Sequence, residues 1–149
     1  MELNKKGRKK VLFLCTHNSA RSQMAEGLLS SLFGDGYEAF SAGLQPSQVH
    51  HYTVKVMHEI GIDISGYHSK SIDDFIDKFF DYVITVCDNA KEACPYFPHG
   101  KAILHKEFDD PASVSGTEDE KLGAFRKSRD EIKEWLTDIF VGHITKNEK

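Results

Sequence analysis

An apolar run, Val11-Leu12-Phe13-Leu14, stops at Cys15, and the polar stretch Cys15-Thr16-His17-Asn18-Ser19-Ala20-Arg21-Ser22 leads straight into a segment with helical spacing. Four consecutive apolar residues, β-branched at the first, suit a strand buried on both faces. From Ser22 to Phe33, Met24, Leu28 and Leu32 recur on one face with Ala25 and Leu29 beside them, the pattern of an amphipathic helix. Gly34 and Gly36 close it. A buried strand that turns directly into a helix places the intervening loop at the helix N-terminus, where backbone N–H groups lack intrahelical partners.

The same alternation continues downstream. Tyr37–Ser41 reads as a second strand closed by Gly43, and 50–60 as a helix with Val54, Met57 and Ile60 on its inner side. Residues 71–79 read as a short helix capped by Ser71, and 81–87, rich in β-formers, as a third strand. Ala102–Leu104 is a short fourth strand. Thr117-x-x-Glu120 has the form of a capping box ahead of a long helix that turns Leu122, Phe125, Ile132, Leu136 and Ile139 inward. Trp135 and Phe140 belong to the core or its edge. Strands alternating with helices predict an α/β fold, a four-stranded parallel sheet with helices on both faces. At 149 residues the chain fits one domain. Residues 1–9 read as a flexible basic tail and 10–149 as a single catalytic domain.

The loop carries the chemistry. Converging N–H groups from Thr16, His17, Asn18, Ser19, Ala20, Arg21 and Ser22 form a nest that suits a tetrahedral oxyanion. The Arg21 guanidinium adds a planar fork for two of its oxygens. Cys15 sits at the strand end facing that position, and the amides, helix dipole and Arg21 all favour its thiolate. Ser22 is placed to donate to the same sulfur. The plainer reading is a buried strand-end cysteine with a surface arginine; the strand before and the helix after favour the anion nest.

Three cysteines, an odd and sparse set, do not make a secreted disulfide framework. The basic N-terminus meets too short an apolar run for a signal peptide, so the reading is cytoplasmic, where thiols stay reduced. A net charge of −4 argues against a nucleic-acid partner, and no apolar run approaches the ~20 residues of a membrane span. If the segment between them is helical, Cys87 and Cys94 lie on one face about 10.5 Å apart, beyond the about 7 Å that a disulfide tolerates. They can bond only if residues 88–97 change shape. Read alone, Cys87 also suits ordinary core, and Asp110-Pro111 an ordinary turn. The eight histidines, including His50, His51 and His58, show no metal-ligand spacing, so no metal or cofactor is called for.

Cys15-x5-Arg21-Ser22 between a first strand and a first helix resembles the low-molecular-weight protein tyrosine phosphatases and the thioredoxin-coupled arsenate reductases that share their fold. The rest resembles the reductases: Ser22-Gln23-Met24-Ala25-Glu26-Gly27, Gly61-Ile62-Asp63-Ile64-Ser65, Cys87-x6-Cys94-Pro95, Phe108-Asp109-Asp110-Pro111-Ala112 and Gly116-Thr117-Glu118. His17 stands where glycine is common and Ala20 where many relatives carry a second loop cysteine. The resemblance implies reduction of arsenate to arsenite by a relay of Cys15, Cys87 and Cys94. In it Arg21 holds the oxyanion, Asp110 protonates the departing oxygen, and thioredoxin or a glutaredoxin restores the enzyme; the chain is expected to be a monomer. Some of these reductases bind potassium, and Asn18, Glu26 and Ser41 match that site. His68 and Lys70 replace its threonine and aspartate, and an ammonium beside a bound cation repels it.

Two other functions stay open. Cys15, Arg21 and Asp110 suffice for a phosphatase working through a cysteinyl phosphate, although residues 112–117 lack the aromatics that flank a phosphotyrosine slot. An oxyanion-binding or redox-sensing module without turnover needs only the nest or the cysteine pair.

Overall fold

Val11 to Leu14 are wholly buried, which requires a neighbour on each edge and cover on each face. β1 (Lys9–Cys15) has both. The computed structural model describes residues 7–87 and 99–147, with side chains as far as residue 141. β2 (Tyr37–Gly43) and β3 (Phe80–Thr85) flank β1 in parallel, with Phe13 opposite Ser41 on one side and Ile84 on the other. β4 (Gly100–His105) pairs in parallel with β3. The order β2-β1-β3-β4 bears out the four-stranded parallel α/β fold. It also makes β1 the point where the chain reverses direction across the sheet, and the crevice beyond the strand ends at such a point is where ligands bind. Cys15 ends β1 at that crevice.

Three α-helices are described: α1 (Arg21–Phe33), α2 (His51–His58) and α3 (Glu118–Asn147). Phe140 of α3 meets Tyr37 of β2 at 4.6 Å, Tyr82 of β3 at 6.0 Å and Phe33 of α1 at 6.3 Å between ring centroids. Tyr37 and Tyr82 share the sheet face of Val11, so α1 and α3 cover that face. The opposite face carries Phe40, covered by Phe75, 6.0 Å away, from a 3-10 turn at Ile72–Asp74. The capping box forms: Thr117 N–H donates to Glu120 Oε1 and Glu120 N–H to Thr117 Oγ1. Leu122, Phe125, Ile132, Leu136 and Phe140 are buried, with Ile139 and Trp135 packed at the edge. Arg126 grips Glu59 through two nitrogens, and Arg129 donates to Glu59 and to the Val56 carbonyl. This ties the end of α2 to α3 and holds the Glu59 carboxyl below its ordinary range, Arg126 contributing most.

Four expectations change. Leu32 is 43% exposed, because Phe33 makes the inward contact of that last turn through Phe140. Ile60 is 36% exposed: α2 ends at His58, and the chain reverses at Gly61 (φ 82°), bringing Ile64 into the core instead. The helix expected over residues 71–79 is reduced to one 3-10 turn, Ile72–Asp74, although Ser71 does cap it by accepting from Asp73 N–H. Ser71 is bridged to Gly43 at the end of β2, whereas Phe80 begins β3. The chain must therefore run back along the sheet, about 20 Å for a six-residue strand, and a helix over 71–79 spans only about 13 Å. Finally, Arg8 and Lys9, assigned to the tail, are held: Arg8 Nη1 donates to the Gly34 carbonyl, and Lys9 pairs with Tyr37.

Candidate active site

Between Cys15 and Ser22 the backbone carbonyls turn away from the loop's centre into bonds with surrounding segments. Cys15 O accepts from Leu44 N–H, Thr16 O from Gln45 N–H and His17 O from Ser47 N–H. Asn18 O accepts from Gln23 Nε2 and Ser69 Oγ, and Ser19 O from His50 N–H and Thr53 Oγ1. In a trans peptide the N–H points opposite to the carbonyl, and no peptide among the described residues is cis. The amides of Thr16, His17, Asn18, Ser19 and Ala20 are therefore directed inward. No side chain caps α1, which leaves its first-turn amides available as well. The expected nest is assembled.

Asn18 makes the curvature possible. Its φ of 52° lies in the left-handed region, which asparagine tolerates better than most residues. Its buried amide is locked on both sides: Nδ2 donates to Ser22 Oγ at 2.8 Å, and Oδ1 accepts from Gln23 Nε2 and from Lys70 N–H, each at 2.9 Å. Ser22 is thus engaged with Asn18, a bond the sequence reading did not assign it. Gly43 backs the loop. A Cβ there meets Asn18 N and Thr16 O at 2.8 Å and His17 C at 2.9 Å, all backbone atoms. Gly43→Ala is expected to fold yet to bind phosphate about tenfold or more weakly by titration calorimetry, because the methyl displaces the nest itself.

Arg21 is anchored by Nη1 to the Phe108 carbonyl at 3.0 Å, and Nη2 lies 3.9 Å from Asp110 Oδ2. Its Nε is buried without a hydrogen-bond partner among the described residues. Asp110 caps a second 3-10 turn, Pro111–Ser113, by accepting from Ala112 N–H with Oδ1. Its turn role and its place beside Arg21 coexist, one oxygen serving each. Asp109 instead offers its backbone carbonyl to Ser128 Oγ at 3.5 Å.

Cys15 and Cys87 are both buried thiols, and Cys87 Sγ lies 3.3 Å from Thr16 Oγ1. Hydrogen bonding toward Cys87, followed by burial, raises the Cys15 thiol well above its ordinary range. Arg21 and the Thr16 amide act in the lowering direction and are outweighed. The expected thiolate is thus opposed by a neighbour that a one-dimensional reading cannot see. Removing that neighbour reverses the balance: in Cys87→Ala the Cys15 pKa is expected to fall, shifting its alkylation profile to lower pH when followed by mass spectrometry at Cys15. An unmoved profile contradicts the pairing.

Comparison with known proteins agrees with this geometry. Residues 10–149 match the family described as low molecular weight phosphotyrosine protein phosphatase. The chain belongs to this family. An arsenate reductase of Halalkalibacterium halodurans is 46% identical over 125 residues, covering 84% of this chain and 90% of that one. A solved arsenate reductase in its phosphate-binding state superposes with a TM-score of 0.77 at 35% identity, covering 90% of this chain and 98% of that one. A thioredoxin-dependent arsenate reductase of Corynebacterium glutamicum gives a TM-score of 0.67 at 31% identity, over 91% of this chain and 63% of that one.

Around the loop Cys15, Thr16, His17, Asn18, Ser19, Ala20, Arg21 and Ser22, the fold places Cys87 beside Thr16 and Asp110 beside Arg21. Cys94, and the 88–97 segment expected to rearrange, lie outside the described residues. His17 is exposed at the rim, its Nδ1 3.0 Å from the Gln45 carbonyl. His50 lies beside the loop, its ring packed on His51, Tyr52 and Phe125, and burial lowers its pKa. Sequence reasoning gave Gln23 and Ser69 no role in the site, read Gly43 only as the close of a strand, and read Lys70 only as the residue that replaces an aspartate of a cation site. Gln23 left a trace, being a polar residue beside Ser22 on a helix face that is otherwise apolar and buried. The contacts of the others with the loop had no local signal, since each reaches it from a distant segment.

Proposed function

We propose that this enzyme reduces arsenate to arsenite through a thiol relay. The observation that carries the reading is a second buried thiol at the floor of the nest: Cys87 joins Cys15 there, its Sγ 3.3 Å from the Oγ1 of Thr16, the residue next to Cys15. A phosphatase needs one sulfur there; a two-electron reductant needs two. A relative solved in a phosphate-binding state supports a tetrahedral oxyanion as the loop's ligand.

In this reading arsenate lies against the inward amides with its oxygens on Arg21, supplying the partner that Nε lacks. Cys15, on losing its proton, attacks arsenic and forms an S–As bond. One oxygen leaves as water, with Asp110 as the proton donor. Cys87 then attacks the Cys15 sulfur. The S–As bond breaks, its electron pair stays on arsenic, and arsenic(V) becomes arsenic(III). Arsenite departs and a Cys15–Cys87 disulfide remains. Cys94 attacks Cys87, releasing Cys15 and leaving a Cys87–Cys94 disulfide for an external dithiol.

Thioredoxin is the proposed dithiol, by the likeness to a thioredoxin-dependent relative, with a glutaredoxin as the competitor. The proposal extends to a monomer working in the cytoplasm, where the reduced thiols it needs persist. Among the described residues no helix is long and apolar enough to cross a membrane. The test is arsenite production from arsenate with thioredoxin, thioredoxin reductase and NADPH. The expected result is one NADPH consumed per arsenite formed. Aryl-phosphate hydrolysis with no arsenite assigns the chain to the phosphatases instead; oxyanion binding without either product leaves a binding module.

A further inference from the structure

Behind the nest, away from Cys15, a second polar cluster joins α1, β2 and the strap at residues 68–71. Glu26 Oε1 of α1 accepts from Ser41 Oγ of β2 at 2.6 Å and faces Lys70 Nζ at 3.6 Å. Lys70 Nζ also donates to the His68 carbonyl at 3.0 Å. Both charged side chains are mostly covered, 16% exposed for Glu26 and 19% for Lys70, so solvent screens the pair less than a surface one. The backbone of the same lysine holds the nest: its N–H donates to Asn18 Oδ1 and its carbonyl accepts from Gly43 N–H. Ser69 Oγ reaches the His17 and Asn18 carbonyls. One residue thus links the Glu26 carboxylate to the asparagine that curves the loop.

The resemblance implied a potassium ion here, held by Asn18, Glu26 and Ser41. The donor set does not fit one. Asn18 Oδ1 already accepts two N–H groups, filling the two lone pairs of a carbonyl oxygen. Glu26 Oε1 is engaged by a hydroxyl and an ammonium, and the ammonium's own charge stands where a cation must approach. Gln23 Oε1 is a buried acceptor without a partner among the described residues, but one neutral oxygen does not make a cation cage.

We propose that Lys70 is the built-in cation of this family member: its ammonium supplies the charge behind the nest, its anchorage on Glu26 fixes the backbone N–H that holds Asn18, and the protein is indifferent to alkali cations. This rests on the nest being an oxyanion site. A covalently tethered charge is present at every salt composition, whereas a bound ion must be recruited.

The test measures phosphate affinity by titration calorimetry, and thermal midpoint, in potassium chloride and in tetramethylammonium chloride at matched ionic strength of about 0.1 M. Wild type is expected to show the same affinity and the same midpoint in both salts. Lys70→Met is expected to bind phosphate roughly fivefold more weakly, and Lys70→Arg to recover most of that loss. Lys70→Asp is expected to become responsive, gaining affinity and midpoint in potassium but not in tetramethylammonium. A wild-type midpoint or affinity raised selectively by potassium overturns the proposal, as does a Lys70→Met protein that binds phosphate like wild type. A wild type that binds no phosphate in either salt removes the oxyanion site itself. That failure is distinguishable, because the comparison of midpoints in the two salts needs no phosphate.

Discussion

Cys87→Ser abolishes arsenite formation and leaves aryl-phosphate hydrolysis within about threefold of wild type, whereas Cys15→Ser abolishes both: this is the expected result for the two sulfurs at the floor of the nest. Cys15 is the atom through which either oxyanion becomes covalently attached, so no route survives its loss. Cys87 enters one step later, when the electrons for arsenic must come from a second sulfur. A serine oxygen can fill the space and keep the hydrogen bond with Thr16, but it does not form the disulfide that lets arsenic keep its electron pair. Phosphorus accepts no electrons in this exchange, so a cysteinyl phosphate is free to hydrolyse with Asp110 and water. The contrast is measured with one preparation of each protein, scored for arsenite and for aryl-phosphate turnover. Arsenite formation retained in Cys87→Ser moves the second thiol to another residue.

Arg21→Lys is expected to lower kcat/KM for arsenate by about two to three orders of magnitude, the scale seen when a fixed oxyanion donor is lost. The charge is conserved, so the effect isolates geometry. The guanidinium gives Nη1 to the Phe108 carbonyl and still has N–H groups on the same rigid plane for the oxyanion. Buried Nε is one of them, and it has no described protein partner. A lysine ammonium, compact and singly anchored, cannot hold the Phe108 carbonyl and two anion oxygens at fixed angles. The comparison of Arg21→Lys with Arg21→Ala reads the share due to charge alone. A lysine variant within a few-fold of wild type shows that the fork is not used.

Much of this protein is readable along one dimension. Val11–Leu14 is apolar without alternation, and that alone requires an internal strand of a parallel sheet. Cys15 to Ser22, between that strand and a helix, is local enough that steric rules and free helix amides specify the nest. The Thr117 capping box and the inward row from Leu122 to Leu136 are likewise short-range patterns, and they reappear in the fold as written.

The misreadings occur where a distant segment decides. Leu32 and Ile60 obey helical periodicity, yet the last turn packs through Phe33 onto Phe140, and the reversal at Gly61 puts Ile64 where Ile60 was expected. Residues 71–79 have the composition of a helix, but their ends are tied to opposite ends of the sheet and a helix is too short to join them. Cys15 has every local reason to be a thiolate, and the side chain that opposes this arrives from the end of β3. By itself the sequence determined the strand, the loop and the identity of the groups that face an oxyanion, because those depend on residues a few positions apart. Only the tertiary structure decided that Cys87 meets Cys15, that Gly43 and Asn18 set the curvature of the nest, and that Lys70 stands behind it. Those contacts join segments whose separation along the chain carries no energy of its own until the sheet brings them together.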